Sequence, residues 1–510
     1  MPTVTLVDLS AVELARRLTR GEVSAVEVVT AYFDHIDRRD RELHAFVHRF
    51  DGEALRQAEA LDHARRKGEP PGPLFGLPVT VKENIATRGT DVTLGLRRAV
   101  VPPCEDDAVA VDLLRRAGAI VVGKTNVPQT LLAFETVNNV WGTTNNPHHV
   151  SRAPGGSSGG EAAALASHMS VLGLGTDIGG SIRVPAAFCG VTGLKPTIFR
   201  WSNVGSHGAL PGQEVVRSQL GPLARSVSDL VFYWNAISPL DHAALDPRVP
   251  PLASPDPSNV DVGKLRIGFY EDDGFFTPSA SVRRAVRRAA EALSRAGADV
   301  VEYTPPAARD VILTFFSVLS SDGGKALARK LGDEPTIPPL ANLRRTARLP
   351  EPVRKLLVQT LRLAGEYRLS DLLSALGEKT VDELFSLAAK VEALRQAEAQ
   401  AWRAARLDAV VCPAFPTPAV PHGTAADFSI GTAYTARYNV LNLPAGVVPV
   451  DSVRPDETER AILADRFDRV AARIERGSAG LPLGVQVVGR PYAEHVVLAA
   501  MLAVEREIEP

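Results

Sequence analysis

The chain has 510 residues, 45% of them hydrophobic, which is enough for one large domain or two to three ordinary ones with a sizeable core. Its 57 lysines and arginines nearly cancel its 59 aspartates and glutamates, so no global field directs it to nucleic acid, to an anionic membrane or to a highly charged substrate. Three cysteines, Cys104, Cys189 and Cys412, lie far apart with no C-x-x-C spacing and no Cys/His cluster, which argues against a disulfide framework and a zinc site and fits a reducing compartment.

In chain order, the N-terminal stretch carries Asp8 and Glu13 where a secretory signal needs a basic start and an unbroken apolar run, so a cytoplasmic protein is expected. Ser10-x-x-Glu13 and Ser24-x-x-Glu27 each place a hydroxyl cap and a reciprocating carboxylate at a helix start, and residues 1–70 read as a helical segment. From Leu74 to Pro196 short β-branched runs (Val79–Val81, Ile120–Val122) alternate with small-residue helices and many glycines. That alternation predicts strand–helix units: an α/β fold, one large domain with a central mixed β-sheet covered by helices on both faces. Leu265–Tyr270, a helix over about Ser281–Ala296 and Asp299–Tyr303 make another such unit. Residues 337–406 are mostly helical and charged, and strands return at Ala409–Val411, Gly446–Val450 and Gly484–Val488. Because strand signals bracket it, 337–406 is expected to be an insertion over one sheet within a single domain spanning 1–510. The uncharged stretch Ala409–Ala426 holds Pro413, Pro416, Pro418 and Pro421 and so cannot be a membrane-spanning helix.

Two motifs compete for the chemistry and fail on context. Gly118-AIVV-Gly123-Lys124-Thr125 matches the phosphate-loop pattern letter for letter, but its inner residues prefer a buried strand, and Gly118 reads as the left-handed cap of the preceding helix. Gly155-Gly156-Ser157-Ser158-Gly159 satisfies the G-x-S-x-G nucleophile elbow, which would make Ser157 the nucleophile, yet the Pro147–Pro154 segment before it is a poor strand. A third constellation is spread wider: Lys82 at the end of the apolar run LPVTV, PGGSSGGEAAA from Pro154, and GLGTDIGGSIRVPAAFCG from Gly173. Glycine pairs such as Gly155-Gly156 and Gly179-Gly180 let backbone amides converge on one point, as an oxyanion demands, and Ser181 directly follows the second pair. A lone lysine more often snorkels to solvent and a glycine run is often only a tight turn, so each feature by itself also has a plain structural reading.

Taken together, these residues resemble the amidase signature family, through GGSSGG, the spacing from Ser157 to Ser181, TDIGGSIR-P-A-FCG and GLKPT. Within the family the chain is similar to the fatty acid amide hydrolase branch, in KTNVPQ (Lys124–Gln129), GQ…LGPLAR (Gly212–Arg225), YNVLNLPAGVVPV (Tyr438–Val450) and SAGLPLGVQVV. The likeness runs from about Leu74 to the C-terminus, with 74–225 as the signature core. It implies the amidase signature fold and a Ser-cisSer-Lys triad in which Ser181 attacks, Ser157, after a cis peptide bond, relays the proton, and Lys82 accepts it. It further implies an oxyanion hole from the amides of Ile178, Gly179, Gly180 and Ser181, support from Ser158, Asp177 and Arg183, and an acyl pocket lined by Leu131, Leu132 and Phe134. Glu83 departs from the pattern, standing where many members have Asp.

A serine hydroxyl needs a base, and burial beside hydroxyls without a carboxylate partner would let Lys82 serve as one by disfavouring its ammonium form. The implied activity is hydrolysis of the C–N bond of apolar aliphatic or aryl acyl amides, with esters and carbamates as secondary substrates and no metal or cofactor. The implied partner is a small-molecule amide, with no nucleic acid and with room for a homodimer. The amphipathic Ile337–Leu369, with seven basic and two acidic residues, occupies the place of a lid or membrane-contacting cap. The rival readings are an amidotransferase A-type subunit releasing ammonia from glutamine in a multi-chain complex, a non-enzymatic binding protein on the same fold, and an ATPase resting on the phosphate-loop match.

Overall fold

Both predicted N-terminal caps form in the computed structural model, which describes residues 5–99, 102–347 and 349–508, without the side chains of 99, 342–344, 346 and 347. Ser10 Oγ accepts the Glu13 N–H at the start of helix Ala11–Arg20, and Ser24 and Glu27 close a reciprocal box at the start of helix Ala25–Leu43. Glu13 does not reach back to Ser10, because Arg16 and Arg17 one turn on each hold its carboxylate at 2.7 Å. The 1–70 segment is not wholly helical: Phe46–Arg49 is a strand, antiparallel to the edge of the main sheet. Four residues with two polar side chains carry no periodic signal, and only pairing with a partner makes them a strand.

Eleven strands form one mixed sheet among the described residues. They are β1 (Phe46–Arg49), β2 (Pro78–Lys82), β3 (Ile120–Thr125), β4 (Leu172–Asp177), β5 (Thr192–Lys195) and β6 (Gln219–Ala224), followed by β7 (Arg266–Phe269), β8 (Asp299–Glu302), β9 (Ala409–Pro413), β10 (Ala445–Ser452) and β11 (Pro482–Gly489). The spatial order is β1-β3-β2-β4-β6-β5-β10-β11-β9-β7-β8. β3, β2 and β4 run parallel, as do β9, β7 and β8, and the remaining neighbours are antiparallel. Every residue of β2, β3, β4, β5, β6 and β9 is buried, the mark of a sheet covered on both faces.

The phosphate-loop match is a helix end and a core strand. Helix Val109–Arg116 closes at Gly118, whose φ of 92° is left-handed, and Ile120–Thr125 is β3, with its backbone paired to β1 and β2. Lys124 turns its amine to the Asp91 carbonyl (2.9 Å) and Thr90 Oγ1 (3.3 Å).

Between β8 and β9 the chain is helical, as the composition of 337–406 predicts, in helices Pro338–Ala347, Glu351–Leu363, Tyr367–Ala375 and Val381–Ala405. Arg348, one of the seven basic residues of 337–369, lies outside the described residues. Ion pairs tie the Tyr367–Ala375 helix to the body: Arg368 to Asp465 (2.9 Å) and Asp468 (3.1 Å), and Arg309 to Asp371 (2.6 Å). Among the described residues no helix is long and apolar enough to cross a membrane.

Candidate active site

Lys82 is the last residue of β2 and fully buried. Its Nζ donates to Ser157 Oγ (2.7 Å), Thr176 Oγ1 (2.9 Å) and the Thr176 carbonyl (3.3 Å). All three partners are neutral oxygens. Burial pulls the amine down to about 7, against the raising pull of Asp177, Glu161 and Glu83, and so favours the free base.

Ser157 is 2% exposed and follows a cis peptide bond from Gly156. The segment before it, 147–154, forms turns and isolated bridges and no strand, so the nucleophile-elbow geometry is absent. Gly156 has to be glycine: a Cβ there would come within 2.6 Å of the Ala133 carbonyl oxygen and 3.0 Å of the Phe134 backbone. Ser158 ties the two glycine runs together, its N–H donating to the Ser181 carbonyl at 3.0 Å and its Oγ to the Thr176 carbonyl at 3.4 Å.

The second run leaves β4 at Asp177. The Asp177 carboxylate accepts the N–H of Gly180 (2.8 Å) and of Ile182 (3.1 Å), Arg183 Nε (3.0 Å) and Nη2 (2.9 Å), and Asn439 Nδ2 (2.9 Å). Burial by itself would raise this carboxyl, but Arg183 beside it holds it well below the usual carboxylate range. Gly180, at φ 123°, could carry no side chain, since its Cβ would lie 2.3 Å from Thr435 Oγ1.

Of the four amides expected to form the oxyanion hole, that of Gly180 donates to the Asp177 carboxylate at 2.8 Å. The N–H groups of Ile178, Gly179 and Ser181 make no hydrogen bond within the protein among the described residues.

Ser181 is partly exposed, on the wall of a cavity of about 720 Å³. Gly156 and Ile178–Gly180 line the same cavity, as do the predicted pocket residues Leu131, Leu132 and Phe134. Leucines of the helical insertion, Leu357 and Leu361 from one helix and Leu369, Leu372 and Leu373 from the next, complete an apolar wall. Leu132 also packs in a small cluster with Leu96, Leu327 and Leu331, so its lining and structural roles coexist.

Several residues that hold this arrangement carry no sequence signal of their own. Asn439 and Gln486, more than 250 residues away in the chain, accept from Arg183 at 2.6 and 3.0 Å. Thr435 Oγ1 donates to the Gly179 carbonyl at 2.8 Å. Glu135, buried beside Phe134, accepts the N–H groups of Gly423 (2.7 Å) and Ala425 and so fixes the loop that brings Ala425 to the cavity wall. Asn439 and Gln486 do fall inside the YNVLNLP and GVQVV segments that carry the family likeness, which is the one clue that could have flagged them.

A profile of the Amidase family matches residues 27–498. The fatty-acid amide hydrolase 1 of Sus scrofa is 38% identical over 447 residues, covering 86% of this chain and 76% of its own. A glutamyl-tRNA(Gln) amidotransferase chain from Trichormus variabilis is 32% identical over 514 residues, covering 97% of this chain and 96% of its own. Among solved structures a fatty acid amide hydrolase superposes with a TM-score of 0.85 at 27% identity, covering 99% of this chain and 86% of that one. The fold, the buried lysine–serine contact and the length of these matches converge: the chain belongs to the Amidase family, resembles its fatty acid amide hydrolases, and is an enzyme that hydrolyses amides.

Proposed function

We propose that the chain cleaves the C–N bond of apolar acyl amides through a Ser181–Ser157–Lys82 relay and an acyl-enzyme intermediate. The observation that carries the reading is the Lys82 amine, buried with three neutral oxygens around it, one of them Ser157 Oγ, and no carboxylate in contact among the described residues. As free base it takes the Ser157 proton while Ser157 takes that of Ser181, and Ser181 Oγ attacks the carbonyl carbon. The negative charge that develops on the carbonyl oxygen faces the free N–H groups of Ile178, Gly179 and Ser181. Collapse breaks the C–N bond as the same proton returns through Ser157 to the leaving nitrogen, and water then releases the acid by the reverse relay. Asp177, Arg183 and Ser158 act by holding the two loops in register.

The leucine- and phenylalanine-lined cavity supports an aliphatic or aryl acyl group, with the 337–406 insertion as a lid over it, and esters and carbamates as secondary substrates because they pass through the same tetrahedral geometry. Each methylene added to a short acyl chain is expected to raise kcat/KM about threefold, from about 0.8 kcal/mol per buried CH₂ partly realised. A series of linear acyl anilides hydrolysed by the isolated chain measures this. Rates that stay flat or fall between four and eight carbons would remove the apolar-acyl assignment. Glutamine deamidation appearing only with added partner chains would select the amidotransferase reading.

Helix Glu351–Leu363 supports contact of the lid with lipid. Leu356 is 66% and Leu363 91% exposed, with Arg354, Lys355 and Arg362 on the same helix. The protein is expected to sediment with anionic phospholipid vesicles at low salt and less with Leu356→Glu/Leu363→Glu. Full recovery of the wild type in the supernatant counts against lipid contact.

A further inference from the structure

Glu161 has no place in the relay just described, yet it is built into the same wall. It is the third residue of helix Gly159–Ala166, four residues after Ser157, and fully buried. Thr80 and Lys82 alternate along β2 and so face the same way, toward this helix. The Thr80 hydroxyl donates to Glu161 Oε2 at 2.8 Å, and the Thr125 hydroxyl, on the residue paired with Lys82 across β3, donates to Oε1 at 2.6 Å. On the other side Gly173, paired with Thr80 in β4, makes the space: a Cβ there would lie 2.3 Å from Glu161 Oε2. The carboxyl therefore lies against the β2 strand immediately beneath Lys82.

Three acids surround the lysine, and they are not equivalent. Asp177, on β4, is neutralised by Arg183 and two backbone N–H groups. Glu83, next to Lys82, accepts from the Thr93 hydroxyl (2.8 Å) and the Leu94 N–H (3.1 Å) and is coupled electrostatically to Lys124 of β3. Glu161 has two hydroxyl partners and neither cation nor amide among the described residues. Tyr233 of helix Val227–Ile237 also acts on it, a phenol that burial keeps neutral. Burial pushes this carboxyl up to about 7, against the pull of both threonines and of Lys82.

We infer that Glu161 is the positioning group that sets the charge of Lys82: ionised, it holds the lysine as an inert ammonium, and protonated, it leaves the lysine free to act as base. The inference rests on the relay proposed above. With one proton between two buried sites, the distribution that puts it on Glu161 is the active one, and the acid limb of the pH–rate profile belongs to the pair.

The test is the pH dependence of kcat/KM for Glu161→Gln, which keeps the shape but cannot ionise, its oxygen accepting from one threonine hydroxyl and its amide nitrogen donating to the other. The acid limb is expected to move to lower pH by about one unit, with the alkaline plateau within about twofold of wild type. Thr125→Val, which removes one of the two hydroxyls favouring the carboxylate, is expected to move it the same way by less, and stands in should the glutamine variant not fold. A limb in the wild type that stays in place or moves upward in the folded variants overturns the inference and leaves the relay standing. A wild type with no acid limb at all overturns the base role of Lys82, and the role of Glu161 with it.

Discussion

Ser181→Ala is expected to lower kcat for acyl amides by at least about 10⁴-fold while the fold stays intact. The reason is local. The backbone contacts that hold residue 181, the Ser158 N–H to its carbonyl and the Asp177 carboxylate to the flanking Gly180 and Ile182 amides, do not involve its side chain. Ser181 lines the cavity, and its hydroxyl makes no hydrogen bond within the protein among the described residues, so its removal breaks none. Unfolding temperature and amide turnover, measured on the same preparation, separate loss of the nucleophile from loss of structure. Ser157→Ala provides the contrast: as a relay it too should lose most activity, but only Ser181 should carry the acyl group in a trapped intermediate. Undiminished turnover in Ser181→Ala, or an acyl adduct on Ser157, would return the elbow reading.

The second large effect concerns the base. With the Lys82 amine drawn down to about 7 by burial, kcat/KM for a chemistry-limited amide should rise about tenfold per pH unit below 7 and level off above it. The sign follows from which form works: the free amine accepts the proton, so activity is lost as pH falls through the folded-state value. Lys82→Arg is expected to be at least about 10³-fold slower at every pH, although it conserves the positive charge, because a guanidinium stays protonated throughout this range. A profile flat from pH 6 to 10, or an arginine variant that retains turnover, would show that a neutral lysine is not required.

How much of this was legible in the chain differs from element to element. The strands β2, β3 and β9 announce themselves through β-branched runs, and Ser10 and Ser24 mark two helix starts correctly. β5 (TGLK) and β6 (QLGPLA) carry no such runs; they are strands because β4 and β10 offer their edges. Lys82, Ser157 and Ser181 could be chosen because the two glycine runs and the lysine recur at the family's spacing. The four-amide oxyanion hole could not be checked that way, since whether an N–H is free depends on what a carboxylate three residues earlier does in space. Gly180 is the instance: its neighbours are local, but its hydrogen bond follows from Asp177 being drawn in by Arg183 and Asn439.

The sequence by itself determined the α/β class, the helical insertion and the family, and it singled out the three residues proposed for the relay, because these rest on periodicity, spacing and residue type, all of which are written along one dimension. The tertiary structure decided the rest. It alone brings Asn439 and Gln486 to Arg183, puts Leu357, Leu361, Leu369, Leu372 and Leu373 on the wall of the cavity that Ser181 lines, and surrounds the Lys82 amine with neutral oxygens while a buried Glu161 lies beneath it. Charge state and cavity shape are properties of what surrounds a group, and for this chain those surroundings come from segments up to hundreds of residues apart.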